Sequence, residues 1–220
     1  MDKTTLLLSG GPDSVTLAYY LKEKKIDFNT LTFLHNPRGS NLDEVNSAKY
    51  HAKELGVKNT VFDASFLLPL YANKKQFKFS LGGAKDCIPN NMSQAPLSIH
   101  LMLFMASMHS ISNDIHSLSW AIHQDDFLKV SEDDIEKVKF YITELIEQEI
   151  SSSFRINTPF QKLHKQDIFR IAKELDLNVD KTISCFDSKN NVPCGNCIKC
   201  TERLNALSNS HLTLKEVWES

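Results

Sequence analysis

Residues 9–14 form the segment with the clearest chemical potential. They read Ser-Gly-Gly-Pro-Asp-Ser, directly after an apolar segment at 4–8 and directly before an amphipathic segment at 15–24. Glycines permit a sharp turn with positive φ, and the start of the following helix offers free N–H groups and the positive end of its dipole. The hydroxyls of Ser9 and Ser14 can donate to phosphate oxygens. The segment therefore predicts a phosphate-binding loop, with an ordinary strand-to-helix turn as the alternative; it matches neither a Walker A loop nor a dinucleotide fingerprint.

Four of the five cysteines form a second candidate site. Their spacing is Cys185-x8-Cys194-x2-Cys197-x2-Cys200, which brings four soft ligands together without a long loop closure. Four thiolates suit a closed, tetrahedral zinc site with a structural role. An iron–sulfur cluster is the alternative, although the ferredoxin spacing continues with a Cys-Pro that is absent here. Cys87 stands apart, either as a small buried residue or as a reactive thiol in a loop.

Length and charge limit the function classes. The chain has 220 residues and a formal net charge of -2, which predicts one domain at 1–220 that includes a C-terminal zinc-binding region at 176–220. A near-neutral charge argues against a dedicated nucleic-acid surface. The N-terminus lacks a signal-peptide pattern, and the longest apolar stretch, at 97–108, is too short to cross a bilayer. We therefore expect a cytoplasmic protein with no membrane partner; a homodimer is the candidate assembly, and the sequence leaves the oligomeric state open.

Alternating strand and helix patterns must position these two sites. Strands are predicted at 4–8, 29–34, 59–64, 115–122 and 155–160, and helices at 15–24, 42–55, 96–108, 131–148 and 164–175. This alternation predicts a doubly wound α/β fold, with a mostly parallel five-stranded sheet covered on both faces. Ligands of such sheets bind beyond the carboxyl ends of the strands, where the loop at 9–14 would lie. Residues 66–92 lack periodicity and predict a long excursion near the ligand.

Together, the motifs resemble a known family. Ser-Gly-Gly-x-Asp-Ser resembles the signature of the PP-loop ATP pyrophosphatases, adenine-nucleotide α-hydrolase-like enzymes that cleave ATP between its α and β phosphates. With the C-terminal cysteine knuckle, and with Thr158-Pro159-Phe160 followed by Lys165, the chain is similar to the 7-cyano-7-deazaguanine synthases of queuosine biosynthesis. The resemblance implies the use of ATP and Mg²⁺ and a structural Zn²⁺ in a small C-terminal knuckle.

The resemblance also implies a reaction and the residues that carry it. A 7-carboxy-7-deazaguanine would be adenylated, converted by ammonia into an amide, adenylated again and dehydrated to the nitrile, with release of AMP and pyrophosphate. The phosphates would be held by Ser9, Gly10, Gly11, Asp13 and Ser14. Asp13, Lys165 and Arg203 would be catalytic, with Lys165 neutralising phosphate charge and Arg203 facing the nucleotide or the acid. The alternative for Lys165 and Arg203 is a solvated helix face.

The middle of the chain departs from the family pattern. Leu34-His35-Asn36-Pro37 stands where Asp-Tyr-Gly-Gln is usual, and Pro89-Asn90-Asn91-Met92 where Pro-Ala-Arg-Asn is usual. Residues 123–128 replace a tyrosine- and glycine-rich segment that contains Asp-Cys-Arg. Because these positions are expected near the acceptor substrate, they leave the carboxylic acid and the amine open.

Three alternatives follow from these departures. A diverged homologue could join a deazapurine acid to an amino group of a protein, or the chain could bind nucleotide without turnover and act through interaction. A tRNA-thiolating PP-loop enzyme is a third interpretation, which the near-neutral charge and the cysteine pattern fit poorly. His123 ends the fourth predicted strand, where it is either a site residue or an ordinary polar loop residue.

Overall fold

Five parallel strands form the centre of the fold in the computed structural model, which describes residues 3–36, 40–67, 98–128 and 132–209. The strands are β1 (Thr4–Leu7), β2 (Phe28–Leu34), β3 (Asn59–Asp63), β4 (Ser117–Ser119) and β5 (Arg155–Asn157). Their order in the sheet is β3-β2-β1-β4-β5, and every neighbouring pair is parallel. The predicted α/β fold with a five-stranded parallel sheet is therefore confirmed.

Helices cover both faces of this sheet. They are α1 (Pro12–Glu23), α2 (Ser40–Leu55), α3 (Ser98–Ser112), α4 (Glu132–Ile150), α5 (Lys165–Glu174) and α6 (Ile198–Asn209), with short 3₁₀ turns at Gln124–Leu128 and Val179–Lys181. One apolar cluster joins the sheet to α1, α2, α5 and α6, and a second joins it to α3 and α4. Successive side chains of a strand point to opposite faces of the sheet, which explains the two clusters. Leu6 and Leu8 belong to the first cluster, and Leu7 packs against the second. No helix within the described ranges is long and apolar enough to cross a membrane.

The strand order creates a crevice at β1. This strand pairs with β2 on one side and with β4 on the other, so the connections that leave β1 and β4 run to opposite faces of the sheet. In open α/β sheets, ligands bind at the carboxyl end of such a reversal point. Residues 9–14 follow β1 directly and therefore lie at this crevice.

Several predicted boundaries were wrong. The strands predicted at 115–122 and 155–160 are only three residues long, because the chain leaves the sheet after Ser119 and Asn157. The Trp120 N–H still donates to the Asn157 carbonyl oxygen over 2.9 Å. Helix α1 begins at Pro12 rather than at 15, as a proline in the first turn allows. The predictions for Cys87, for 89–92 and for most of the excursion at 66–92 lie outside the described residues.

Candidate active site

The loop at 9–14 is a tight turn with its hydroxyls held in place. Gly10 has φ +85°, and a Cβ atom there would lie 2.0 Å from the Glu44 carbonyl oxygen, so only glycine fits. Ser9 Oγ and Ser14 Oγ are 2.9 Å apart, and the Ser9 N–H donates to Ser14 Oγ over 3.1 Å. Helix α1 begins immediately after Gly11, and no side chain caps it. Its first N–H groups are therefore available to an anion.

Residues distant in sequence support this loop from behind. The Gly10 carbonyl oxygen accepts hydrogen bonds from Ser47 Oγ at 2.8 Å and from the Ile183 N–H at 2.9 Å. Ser47 is buried in α2, and its Oγ also lies 2.8 Å from the Lys181 carbonyl oxygen. The loop is therefore fixed by α2 and by the turn that precedes the cysteine segment.

Asp13 and Lys165 form an ion pair beside the loop. Lys165 Nζ lies 3.0 Å from Asp13 Oδ2, and the side chains are 9% and 22% exposed, respectively. Burial alone would raise the pKa of Asp13, but the charge of Lys165 and a hydrogen bond with His123 outweigh it and hold that pKa well below its usual range. Burial likewise opposes the charge on Lys165, whereas Asp13 and Asp126 raise its pKa. Both groups are charged at neutral pH, and Lys165 does not lie on a solvated helix face.

His123 also belongs to this cluster. It is buried, and its Nε2 lies 3.7 Å from Asp13 Oδ2 and 3.5 Å from Asp126 Oδ2. Asp125, the next acidic residue, accepts from the Lys165 N–H over 2.7 Å and lies 2.8 Å from His164 Nδ1. The segment after β4 therefore positions the start of α5, and with it Lys165.

Sequence reasoning missed Asp125 and Asp126 as site residues. The available signal was their position in the segment that follows β4, which leaves the carboxyl edge of a parallel sheet. The Asp126 carboxylate adds negative charge near Lys165 and raises its pKa, whereas Asp125 accepts a hydrogen bond from the Lys165 N–H.

Arg203, on α6, is buried. Its Nη1 donates to the carbonyl oxygen and to Oγ1 of Thr182 at 3.0 and 2.9 Å, and its Nη2 donates to the Val179 carbonyl oxygen. Burial lowers its pKa. The guanidinium thus holds the turn whose next residue, Ile183, donates to Gly10, and it too does not lie on a solvated helix face.

A cavity of about 340 Å³ opens beside the loop. One part of its wall is apolar, formed by residues of β2, of α3 and of the segment after β4: Leu31, Phe33, Ile99, Met102, Leu103, Trp120 and Ala121. The other part carries Ser9, Asp13, Ser14, His35, Asn41 and Glu44. An apolar slot that ends in a phosphate-type loop suits a ligand with a flat ring and an acidic group.

Glu44 is the second carboxylate of this wall. It is half-buried, and its Oε2 accepts from Asn41 Nδ2 over 3.2 Å. Burial is the main reason that its pKa is raised, to about 7, and the charge of Asp43 adds to this effect. Asn41 in turn accepts from the N–H groups of His35 and Asn36, each at 3.0 Å, which ties the loop after β2 to the start of α2.

The four predicted cysteines converge in a separate cluster. The sulfur atoms of Cys185, Cys194, Cys197 and Cys200 all lie within 4.8 Å of one another, with close pairs at 3.6, 3.9 and 4.0 Å. A zinc ion with Zn–S bonds of about 2.3 Å holds tetrahedral thiolates about 3.8 Å apart. The four-iron cube of a [4Fe–4S] cluster would hold the sulfurs much farther apart. The donor set and its spacing therefore fit a single tetrahedral metal ion.

Solved structures of other proteins share the fold. The U34-tRNA thiolase NcsA from Methanococcus maripaludis, solved with its [4Fe-4S] cluster, has a TM-score of 0.53 at 16% identity over 99% of this chain and 68% of its own. NMN synthetase from Francisella tularensis has a TM-score of 0.53 at 11% identity over 99% of this chain and 81% of its own. At such low identity these likenesses describe the fold alone.

Sequence relatives identify the family. The 7-cyano-7-deazaguanine synthase of Caldicellulosiruptor saccharolyticus is 28% identical over 212 residues, 93% of this chain and 90% of that protein. The synthase of Archaeoglobus fulgidus is 28% identical over 214 residues, 93% of this chain and 85% of that protein. The family model described as "Queuosine biosynthesis protein QueC" matches residues 3–211. The chain therefore belongs to the QueC family of ATP-dependent ligases.

Proposed function

We propose that the protein adenylates a 7-carboxy-7-deazaguanine-type acid with ATP and couples it to ammonia, to give an amide and then a nitrile, with release of AMP and pyrophosphate. The observation that carries this proposal is the Asp13–Lys165 pair next to the loop at 9–14 of a QueC-family chain, in which Asp13 lines the cavity. We further propose the cytoplasm as the place of the reaction.

The site chemistry supports the first half-reaction. Adenylation develops negative charge on the oxygen that bridges the α and β phosphates, and fixed donors and cations stabilise that charge. Ser9, Gly10, Gly11 and Ser14 would offer hydroxyl and N–H donors to the phosphates, and Lys165 would offer its ammonium group. Asp13 would hold Lys165 in position and keep it charged. Arg203 would act indirectly, because it holds the turn that supports Gly10.

Two metal ions belong to the proposal. Mg²⁺ would accompany ATP and share the charge of its phosphates. Zn²⁺ would be held by the four cysteines, with a structural role because four thiolates leave no open coordination position.

Pyrophosphate exchange tests the adenylation step. Purified protein with Mg²⁺, ATP and 7-carboxy-7-deazaguanine should incorporate labelled pyrophosphate into ATP without any amine. Addition of ammonium should then yield the amide and the nitrile, detected by mass spectrometry, together with AMP. The absence of exchange, AMP and product would refute the proposal.

Asp13→Asn provides the matched test of the site. It should abolish exchange while the protein remains folded, because the variant keeps the shape of the side chain but loses the partner of Lys165. A chain that acts only through interaction would keep its biological effect in this variant. Glu54→Gln, at an exposed position on α2, serves as the control and should leave exchange unchanged.

One observation favours an amine other than ammonia as the acceptor. The segment after β2 departs from the family pattern, and His35 of that segment lines the cavity beside Asn41 and Glu44. A changed wall at this point changes which amine can enter. Reaction mixtures that contain host protein would therefore be searched for a protein whose mass has increased by the deazapurine acyl group.

A further inference from the structure

Glu44 has a place in the cavity that the adenylation chemistry does not use. Only two carboxylates occur among the described residues that line the cavity, Asp13 and Glu44. Asp13 is neutralised by Lys165, and its lowered pKa makes it a poor proton acceptor. Glu44 Oε2 is held by Asn41, and the described residues supply no hydrogen bond to Oε1.

The surroundings of Glu44 bring the pKa of its carboxyl group close to neutral pH. Asp43, on the same helix, disfavours a second negative charge, whereas Lys199 of α6 favours it. Asp43 is itself occupied, because its Oδ2 accepts from Ser188 Oγ over 2.7 Å. Across the cavity, Asp13 is paired and His35 has a pKa lowered by burial, so it stays neutral at neutral pH. Burial dominates, and the pKa of Glu44 rises to about 7.

The second half-reaction needs such a group. Ammonium is the main form of ammonia in neutral water, and it has no lone pair with which to attack a carbonyl carbon. We propose that Glu44 is the amine subsite: its carboxylate binds ammonium, or a small primary ammonium, in the cavity and removes one proton from it. The inference rests on the proposed function, since it supplies the nucleophile for the acyl adenylate.

Proton transfer from ammonium to Glu44 precedes the attack on the acyl carbon. The carboxylate oxygen of Glu44 takes a proton from ammonium, which leaves neutral ammonia and a carboxylic acid. The ammonia lone pair forms the C–N bond at the acyl carbon, and the C–O bond to AMP breaks, with AMP leaving with the electron pair. The nitrogen releases a second proton to water, and Glu44 returns its proton to water.

Glu44→Gln separates this role from adenylation. The variant keeps the size of the side chain and an oxygen that can accept from Asn41, but it cannot take a proton. We expect pyrophosphate exchange to stay within about twofold of the wild-type rate, whereas the ammonium-dependent amide rate falls about 100-fold, within the range of a general base. Glu54→Gln is the control on the same helix and should change neither rate.

Hydroxylamine gives a readout that a purely structural role would not move. It is mostly uncharged at neutral pH, so it needs no deprotonation before it attacks. Hydroxamate formation should therefore proceed at similar rates in the wild type and in Glu44→Gln. A variant that loses hydroxamate and amide formation equally would overturn the proposal.

The remaining outcomes are also decisive. Loss of exchange with a raised KM for the acid would make Glu44 a purine-binding residue and would overturn the amine subsite alone. An unchanged amide rate in Glu44→Gln would also overturn the amine subsite. If Glu44→Gln does not fold, Glu44→Ala is measured in the same assays, and an amide rate that falls no more than exchange would overturn the proposal. Absence of exchange in the wild type would refute the proposed function itself, and the amine subsite with it.

Discussion

A double-mutant cycle on Asp13 and Lys165 tests the central ion pair. The two variants are Asp13→Asn and Lys165→Met, which keep the approximate shape of each side chain while they remove its charge. Each single change leaves the other charge in a largely buried site without its main partner. Removal of one member of a buried pair costs about 3–5 kcal/mol of unfolding free energy.

The geometry sets the size of the expected coupling. Unit charges separated by the observed 3.0 Å attract by about 5.5 kcal/mol at an effective dielectric constant of about 20. The partial exposure of Asp13 and the nearby Asp126 reduce this attraction, so we expect a coupling free energy of about 3 kcal/mol. The double variant should therefore lose about 3 kcal/mol less unfolding free energy than the sum of the two single variants.

Urea unfolding at pH 7.5, followed by circular dichroism without nucleotide, measures all four proteins. Pyrophosphate exchange is measured in parallel, and all three variants should lose it. Single-variant losses that add in the double variant to within about 0.5 kcal/mol would refute the electrostatic reasoning, because independent sites add in this way. Exchange that survives in the double variant would refute the role of the pair in adenylation.

Three further predictions concern the surroundings of the site. Cys185→Ser should lower the metal content from about one zinc per chain to near zero, and it should lower the melting temperature. A colorimetric zinc assay and thermal unfolding measure these two effects. An unchanged zinc content would contradict the four-cysteine site. Burial lowers the pKa of His51 in the folded protein to about 4. As the pH falls from 6.5 to 4, the imidazole is therefore protonated in the unfolded chain before it is protonated in the folded one. The unfolding free energy should drop by about 3 kcal/mol over that range. His51→Phe should remove this part of the pH dependence in urea titrations, and a slope identical to that of the wild type would contradict the assignment. Ser47→Ala should cost about 1 kcal/mol of unfolding free energy and raise the KM for ATP, because the Gly10 carbonyl oxygen keeps only its bond from Ile183; an unchanged KM would show that Ser47 does not position the loop.

Local patterns were sufficient to predict the sheet and the loop at 9–14. Glycine, proline and serine act within a few residues of their own position, and strand and helix periodicity depends on neighbours along the chain. The short β4 was not predictable in this way, because Ala121 and Ile122, which have the apolar character of a strand, are buried beyond its end by tertiary packing. The spacing of the cysteines likewise carried enough information to predict their convergence.

The rest of the site depends on contacts between distant segments. Asp125 acquires its role because the segment after β4 meets the start of α5, and Glu44 because α2 begins beside the loop after β2. No local pattern distinguishes these carboxylates from the solvated ones nearby. Arg203 shows the opposite case: the resemblance singled it out, but its burial against Val179 and Thr182 could be known only from the fold.

The hydrogen bond from Ile183 to Gly10 has a consequence for how the protein is made. The phosphate-type loop is synthesised before β2, yet one of its supporting donors follows β5 and α5 in the chain. The loop therefore cannot gain its full set of supporting hydrogen bonds until the segment that holds Ile183 has also been synthesised. Partially translated chains lack this support of the nucleotide site.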